Sequence, residues 1–181
     1  MAGLELQILD AIQQIRSGWM DQIMVSITSL GNGGMIWIAV GILLLISKKH
    51  RKTGILVLAA LAVEVVFCNG ILKPVASRVR PCDINPTVQL LISRPTDYSF
   101  PSGHTGASFA AACMLWLRKE KGRYAAFILA GMIAFSRMYL YVHFPTDILG
   151  GMVIGSASAW GVYLGFKQFA SKCGKNSKIT V

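Results

Sequence analysis

The chain has 181 residues, 54% hydrophobic and 14% charged, with a mean hydropathy of +0.54, whereas an ordinary soluble domain is about 25% charged. This composition excludes a soluble module and has room for several bilayer crossings of about 20 residues each. The net charge of +10 does not mark a nucleic-acid binder. Most of it sits in three clusters, Lys48–Lys52, Arg118–Arg123 and Lys167–Lys178, each flanking an apolar run and lacking interleaved aromatics.

Residues 1–17 alternate Leu4, Leu6, Ile8, Leu9, Ile12 and Ile15 with Glu5, Gln7, Asp10, Gln13, Gln14 and Arg16. The polar residues preclude the uninterrupted apolar core of a cleaved signal peptide, and the spacing predicts an amphipathic helix lying at the membrane interface. Trp19 to Leu30 carries Asp21 and Gln22 and is too short to cross. It reads as a second interfacial or partly inserted helix, ended by the turn Gly31-Asn32-Gly33-Gly34. Five segments then read as crossings: 35–47, 54–72, 103–117, 124–142 and 147–166. A six-crossing variant that uses residues 8–30 stays open.

The basic clusters put 48–53, 118–123 and 167–181 in the cytoplasm and 31–34, 73–102 and 143–146 outside. The expected architecture is a single all-α integral membrane domain over 1–181, with N-terminal interfacial helices at 1–30, a transmembrane core at 31–170 and a basic cytoplasmic tail at 171–181. Cys68, Cys82, Cys113 and Cys173 lie far apart, without the paired spacing of a zinc site, and read as packing residues.

The outer side holds Lys73, Arg78, Arg80, Arg94, Arg137, His104, His143 and Asp147, against the positive-inside tendency, and such a reversal calls for a function. Lys73 and Arg80 are seven apart, which places them on one helical face if the helix continues to Val79. Pro101-Ser102-Gly103-His104 immediately precedes an apolar helical run, so its backbone amides and the positive end of the helix dipole favour a phosphate. Gly103 allows close backbone approach. His104 sits in the first turn, where it can protonate a leaving group. In the third stretch, Arg137 lies six residues before His143 and Asp147 four after it. A carboxylate bonded to one imidazole nitrogen leaves the other free to attack phosphorus.

These residues resemble the three motifs of the type 2 phosphatidic acid phosphatase family: Lys73 with Arg80-Pro81, then Pro101-Ser102-Gly103-His104, then Ser136-Arg137 with His143 and Asp147. They occur in order, without a gap or substitution, between 73 and 147. The resemblance implies a metal-independent and cofactor-free phosphoryl transfer. His143 would be the nucleophile, Asp147 its orienting base and His104 the acid, with Lys73, Arg80, Arg137, Ser102 and the Gly103 amide holding the phosphate oxygens. The implied partner is a phosphorylated lipid, met at the outer face of the cell membrane among other membrane lipids.

Within the family the chain is most similar to undecaprenyl-diphosphate phosphatases; phosphatidylglycerophosphate, phosphatidate and lipid A phosphate are the alternative substrates. The different class of reading is an anion transporter or channel, for which Glu64 and Asn69 are the main intramembrane polar residues. Vanadium haloperoxidases share the motifs but are soluble. Arg94 reads as a lipid-headgroup contact, as His50 reads as a solvated side chain among cytoplasmic lysines. Arg78 fits either a headgroup contact or the site. For Glu64, a functional role and a protonated interhelical hydrogen bond are both open.

Overall fold

The computed structural model describes residues 2–176, and among them all regular structure is helical. Helices α1 (Ala2–Gln14) and α2 (Gly18–Leu30) precede a 3-10 turn at Asn32–Gly34, where Gly33 (φ 57°) and Gly34 (φ 69°) take left-handed backbone that favours glycine. Then come α3 (Met35–Ile46), α4 (Arg51–Val65), a π-helical stretch at Val66–Leu72 and the short α5 (Lys73–Ala76) and α6 (Pro81–Ile84). A loop leads to α7 (Gly103–Leu117), α8 (Arg123–Tyr139) and α9 (Pro145–Asn176). The expected tail at 171–181 is helical to Asn176, and 177–181, with Lys178, lie outside the described residues.

Helix α7 is the axis of the bundle. Its run of small residues lets α4, α8 and α9 pack on it from three sides, and Ala110, Ala111, Ala112 and Met114 are fully buried. The approach of α9 is closest at Gly151 and Gly155. A side-chain carbon at Gly155 would run into the Gly106 carbonyl and the Ala110 amide, and one at Gly151 would lie 2.6 Å from the Ser102 carbonyl. Small residues one turn apart bring backbones together in this way where lipid removes the hydrophobic drive for association.

The outer surface is the reverse of a soluble protein's. Ile42, Leu43 and Ile46 on α3, Ile128 on α8 and Val153 and Leu164 on α9 are exposed, as a helix bundle solvated by lipid requires. Among the described residues two stretches, Arg51–Ile84 and Pro145–Lys172, are long and apolar enough to cross a bilayer alone. The pair Gly18–Leu30 and Asn32–Ile46, bent by 47°, makes a third if it is one broken span. Helices α7 and α8, of 15 and 17 residues, are only about 22 and 25 Å long at 1.5 Å per residue.

Two basic clusters share one end of the bundle. His50 Nδ1 lies 2.8 Å from Glu120 Oε2, the Thr53 hydroxyl donates to Glu120 Oε1 (2.7 Å), and Arg118 Nε donates to Thr53 (3.3 Å). His50 is therefore in polar contact with Glu120 and not merely solvated. The opposite end carries the three motifs.

Two expectations change. The helix bearing Lys73 does not reach Val79: it stops at Ala76, where Ser77 turns left-handed (φ 44°), so Lys73 and Arg80 share no helical face. Upstream, the Lys73 amide donates to the Cys68 carbonyl, five residues back, which marks a π-bulge ahead of the lysine. Helix α1 is amphipathic, but it packs on the bundle through Glu5, Leu9 and Gln13 and turns Leu4, Ile8 and Ile15 outward.

Gly155→Ala is expected to cost about 1–3 kcal/mol by overpacking and to lower the thermal unfolding midpoint in detergent. Gly161→Ala, with open space beside it, is expected to leave the midpoint unchanged or slightly raised. Equal midpoints for the two variants would show that α7 and α9 are not locked at this contact.

Candidate active site

The end of α8 and the start of α9 form the rigid part of the site. Tyr141 takes positive φ (59°) in the connecting turn, and Pro145 occupies the first position of α9, where its missing N–H costs nothing. Asp147, two residues later, reaches back to accept from the Phe144 amide (2.8 Å), a capping-box bond that fixes the carboxylate. Its Oδ2 also accepts from the Ser99 hydroxyl (2.5 Å) and its Oδ1 from Arg78 Nη1 (2.6 Å). Asp147 is fully buried.

His143, four residues earlier, is also buried and lies with Nδ1 3.5 Å from Asp147 Oδ2, just beyond a hydrogen bond. Its Nε2 is 3.1 Å from Arg80 Nη1. A guanidinium only donates, so Nε2 is assigned as the acceptor and the ring proton to Nδ1, facing the aspartate. Burial pushes His143 down to about 3, with the Asp147 carboxylate opposing and Arg80 and Arg137 adding to the shift. The imidazole is therefore neutral at physiological pH.

Arg80 is held by backbone and side chain together: it donates from Nη1 to the Val142 carbonyl (2.7 Å), from Nε to the Asp97 carbonyl (2.8 Å) and from Nη2 to Asp97 Oδ1 (2.7 Å). Lys73 Nζ pairs with the other oxygen of Asp97. One carboxylate thus bridges the two cations of the first motif, which meet through the loop and not along a helix. Burial alone would raise Asp97, but the hydrogen bond from Lys73 and the charges of Arg80 and Lys73 prevail and hold it at about 2.

Arg137 is 4% exposed; its Nη1 donates to Thr28 Oγ1 (2.7 Å), and its Nε has no partner among the described residues. His104 Nε2 is 3.0 Å from Asn32 Oδ1, while its carbonyl accepts from Ser108 (2.7 Å), which in turn accepts from Trp37 Nε1 (2.9 Å). Ser102 caps α7, accepting from the Thr105 hydroxyl (3.0 Å), and is fully buried.

Lys73, Arg80, Gly103, His104, Arg137 and His143 line one cavity of about 1420 Å³. Ser102 and Asp147 stand behind that wall. The cavity continues between α3 and α4 along Ile38, Leu58, Leu61, Ala62 and Val65, and the 90–97 loop roofs it. Glu64 also lines it, with Oε1 unpartnered among the described residues and Gly106 closely apposed. An amphiphile with an anionic head matches this division into a cationic and an apolar end.

Arg78, Asp97, Ser99, Thr28, Asn32 and Glu5 were not singled out as site residues by their types or spacing, although Arg78 carried a signal as a cation on the outer side. Arg94 is half exposed and pairs with Asp83 (3.3 Å) instead of reaching the cavity.

The geometry is that of a phosphoryl-transfer site built on a helical membrane fold, and comparison with known proteins agrees. The PAP2 superfamily model matches residues 52–170. The chain is 33% identical over 156 residues to the undecaprenyl-diphosphatase of Sulfolobus acidocaldarius, covering 85% of this chain and 74% of that protein. It is 36% identical over 157 residues to phosphatidylglycerophosphatase B of Bacillus subtilis, covering 78% and 72%. The crystal structure of Aquifex aeolicus LpxE superposes with a TM-score of 0.77 at 28% identity, over 88% of this chain and 94% of that one. The chain belongs to the PAP2 superfamily and is a lipid phosphatase, a hydrolase.

Asp97 occupies the place where an oxyanion would bridge Lys73 and Arg80. Asp97→Asn is expected to tighten competitive inhibition by vanadate about two- to fivefold, the worth of a half-exposed ion pair. An unchanged or weakened inhibition constant would show that Asp97 does not compete for the two cations.

Proposed function

We propose that the protein removes the terminal phosphate of undecaprenyl diphosphate at the outer face of the cell membrane through a phosphohistidine. The observation that carries this reading is the single cavity joining the cationic cluster around His143 to an apolar groove between α3 and α4. A polyprenyl or acyl tail fits the apolar end, and a phosphate fits the cationic one. Similarity to an undecaprenyl-diphosphatase over most of both chains supports the diphosphate; similarity to a phosphatidylglycerophosphatase makes a phosphatidylglycerophosphate the alternative.

In the first step His143 Nε2 attacks phosphorus, forming a P–N bond as the P–O bond to the leaving group breaks. His104, on the cavity wall, gives its proton to the leaving oxygen. Lys73, Arg80 and Arg137, with the amides at the start of α7, hold the non-bridging oxygens, whose charge grows toward the transition state. Water, deprotonated by His104, then attacks the phosphohistidine and the P–N bond breaks. Asp147 keeps the proton on Nδ1 and stabilises the imidazolium side of the reaction, while Ser102 supports the oxyanion-binding turn. In this reading the protein cations Lys73, Arg80 and Arg137 meet the phosphate charge.

In this reading α3, α4 with its π-bulge, α7, α8 and α9 are the five crossings, the shorter helices extended by snorkelling side chains at their ends. The basic clusters gathered near Glu120 then face the cytoplasm, and the site faces out.

His143→Ala is expected to abolish turnover and the base-stable, acid-labile label that radiolabelled substrate leaves on the protein after an alkaline quench. His104→Ala is expected to cost about 10²–10⁴-fold on a monophosphate lipid and distinctly less on a diphosphate, whose phosphate-monoester leaving group needs less help from an acid. Activity is expected to survive excess chelator. Label retained on the His143→Ala protein with normal turnover would overturn the mechanism.

On topology, Asn85→Cys in a background without native cysteines is expected to react with a membrane-impermeant thiol reagent from outside, and Gly122→Cys is not. The reverse pattern would place the chemistry in the cytoplasm.

A further inference from the structure

Arg78 lies outside the three motifs, yet it makes the most direct charged contact to the aspartate behind the nucleophile. The left-handed turn at Ser77 reverses the chain after α5. From there Arg78 lies across the Phe144 ring, 4.1 Å from its centroid, and donates from Nη1 to Asp147 Oδ1 (2.6 Å) and to Thr146 Oγ1 (2.6 Å). Its Nη2 donates to Glu5 Oε2 (2.6 Å). The other oxygen of Glu5 accepts from the Thr146 hydroxyl (2.6 Å) and amide (3.2 Å), closing a ring of three side chains at the start of α9. Glu5 is 8% exposed. Its burial, which would raise its pKa, is overcome by the Thr146 and Arg78 bonds, so it is ionised at neutral pH.

The ring is tied to α1 along its length. Gln13 Nε2 donates to the Tyr139 carbonyl (3.0 Å), the Tyr141 hydroxyl donates to Asp10 (2.7 Å), and Leu9 is fully buried against the same turn. The N-terminal helix therefore holds the turn that carries His143.

We infer that Arg78 and Glu5 are positioning residues for the His143–Asp147 pair, with α1 supplying through Glu5 the outermost member of a Glu5–Arg78–Asp147–His143 chain. The inference rests on His143 being the nucleophile. Arg78 occupies Asp147 Oδ1, so the carboxylate presents Oδ2 to the imidazole, and its charge limits how strongly Asp147 draws a proton onto the ring. Glu5 offsets part of that charge. The other charged or titratable groups around the pair are Arg80 beyond α5, Lys73 on α5, Arg137 on α8, His104 on α7 and Asp97 in the roofing loop. All are common to the wild-type and variant chains, so the two substitutions are compared against the same set of charges.

The test is the pH profile of kcat/KM for the full-length protein in detergent with dioctanoyl phosphatidate, whose own ionisation is common to every variant. Removing the positive charge in Arg78→Ala makes His143 easier to protonate, so the acid limb is expected to move up by about one pH unit. Glu5→Gln removes a negative charge without changing shape, and its limb is expected to move down. Arg78→Ala is also expected to lower kcat about ten- to a hundredfold with KM within about twofold, because misplacement acts on the chemical step. Arg78→Lys is expected to return the limb to the wild-type position.

Limbs that stay fixed, or that move the same way in Arg78→Ala and Glu5→Gln, overturn the inference. If Arg78→Ala does not fold, as read from its thermal midpoint, the comparison of Glu5→Gln with Arg78→Lys decides alone. Wild-type turnover equal to that of His143→Ala would instead bring down the phosphatase mechanism on which the chain rests.

Discussion

The end of the bundle that carries the site must keep four cations within one small region, Lys73, Arg80 and Arg137 buried and Arg78 with its side chain 26% exposed. Buried charge without a partner costs several kcal/mol, and the fold answers with three carboxylates, Glu5, Asp97 and Asp147. Two of them are fixed: Asp147 by three hydrogen bonds and Glu5 by its ring with Thr146 and Arg78. Asp97 is different, because its side chain is 54% exposed and sits on a loop. One anion of the set is therefore exchangeable, and Arg137 has no carboxylate partner among the described residues. This imbalance leaves positive charge facing the cavity, which suits the phosphate site proposed there.

The helices serve that arrangement in unequal ways. Close contact at Gly151 and Gly155 brings the start of α9 beside the start of α7, where the Ser102 amide donates to the Asp147 carbonyl (3.1 Å). The turn at the start of α7 and the Asp147 that faces His143 are thus joined through backbone, which leaves side chains free for charge. On the other side, Trp37 and Ser108 tie the His104 turn to α3, the helix that borders the apolar groove. Head and tail regions of the cavity share a wall.

Much of this was legible in the sequence. Five apolar runs became helices, the last running on past 166 to Asn176, because hydrophobicity over a dozen or more residues determines helix existence more firmly than it does helix ends. Each of the three motifs sends side chains or backbone to one cavity, through Lys73, Arg80, Gly103, His104, Arg137 and His143, while Ser102 and Asp147 stand behind its wall. What pattern could not give was the partnership of residues distant in the chain: Arg78 with Glu5, 73 positions away, or Lys73 with Asp97, 24 away. Periodicity describes a face and does not name what lies opposite. The shared helical face proposed for Lys73 and Arg80 failed for a local reason, since Ser77 leaves the helix and lets the chain return to the site by another route. The packing of α1 was hidden similarly, because its polar positions, which seemed destined for water, find partners in the turn before α9.

The π-bulge ahead of Lys73 changes how the first motif should be understood. A bulge of this kind holds one residue more than the α-helix it interrupts, and each residue turns a helix by about 100°. Everything after Val65 is thus rotated relative to the lipid-facing and core-facing stripes laid down along α4. Lys73 owes its direction to an added residue as much as to its own identity. Losing a single residue anywhere in 66–72 would restore a regular helix and swing the lysine out of the cavity while leaving all three motifs intact as strings of letters. The spacing that matters for the clamp begins upstream of the motif itself.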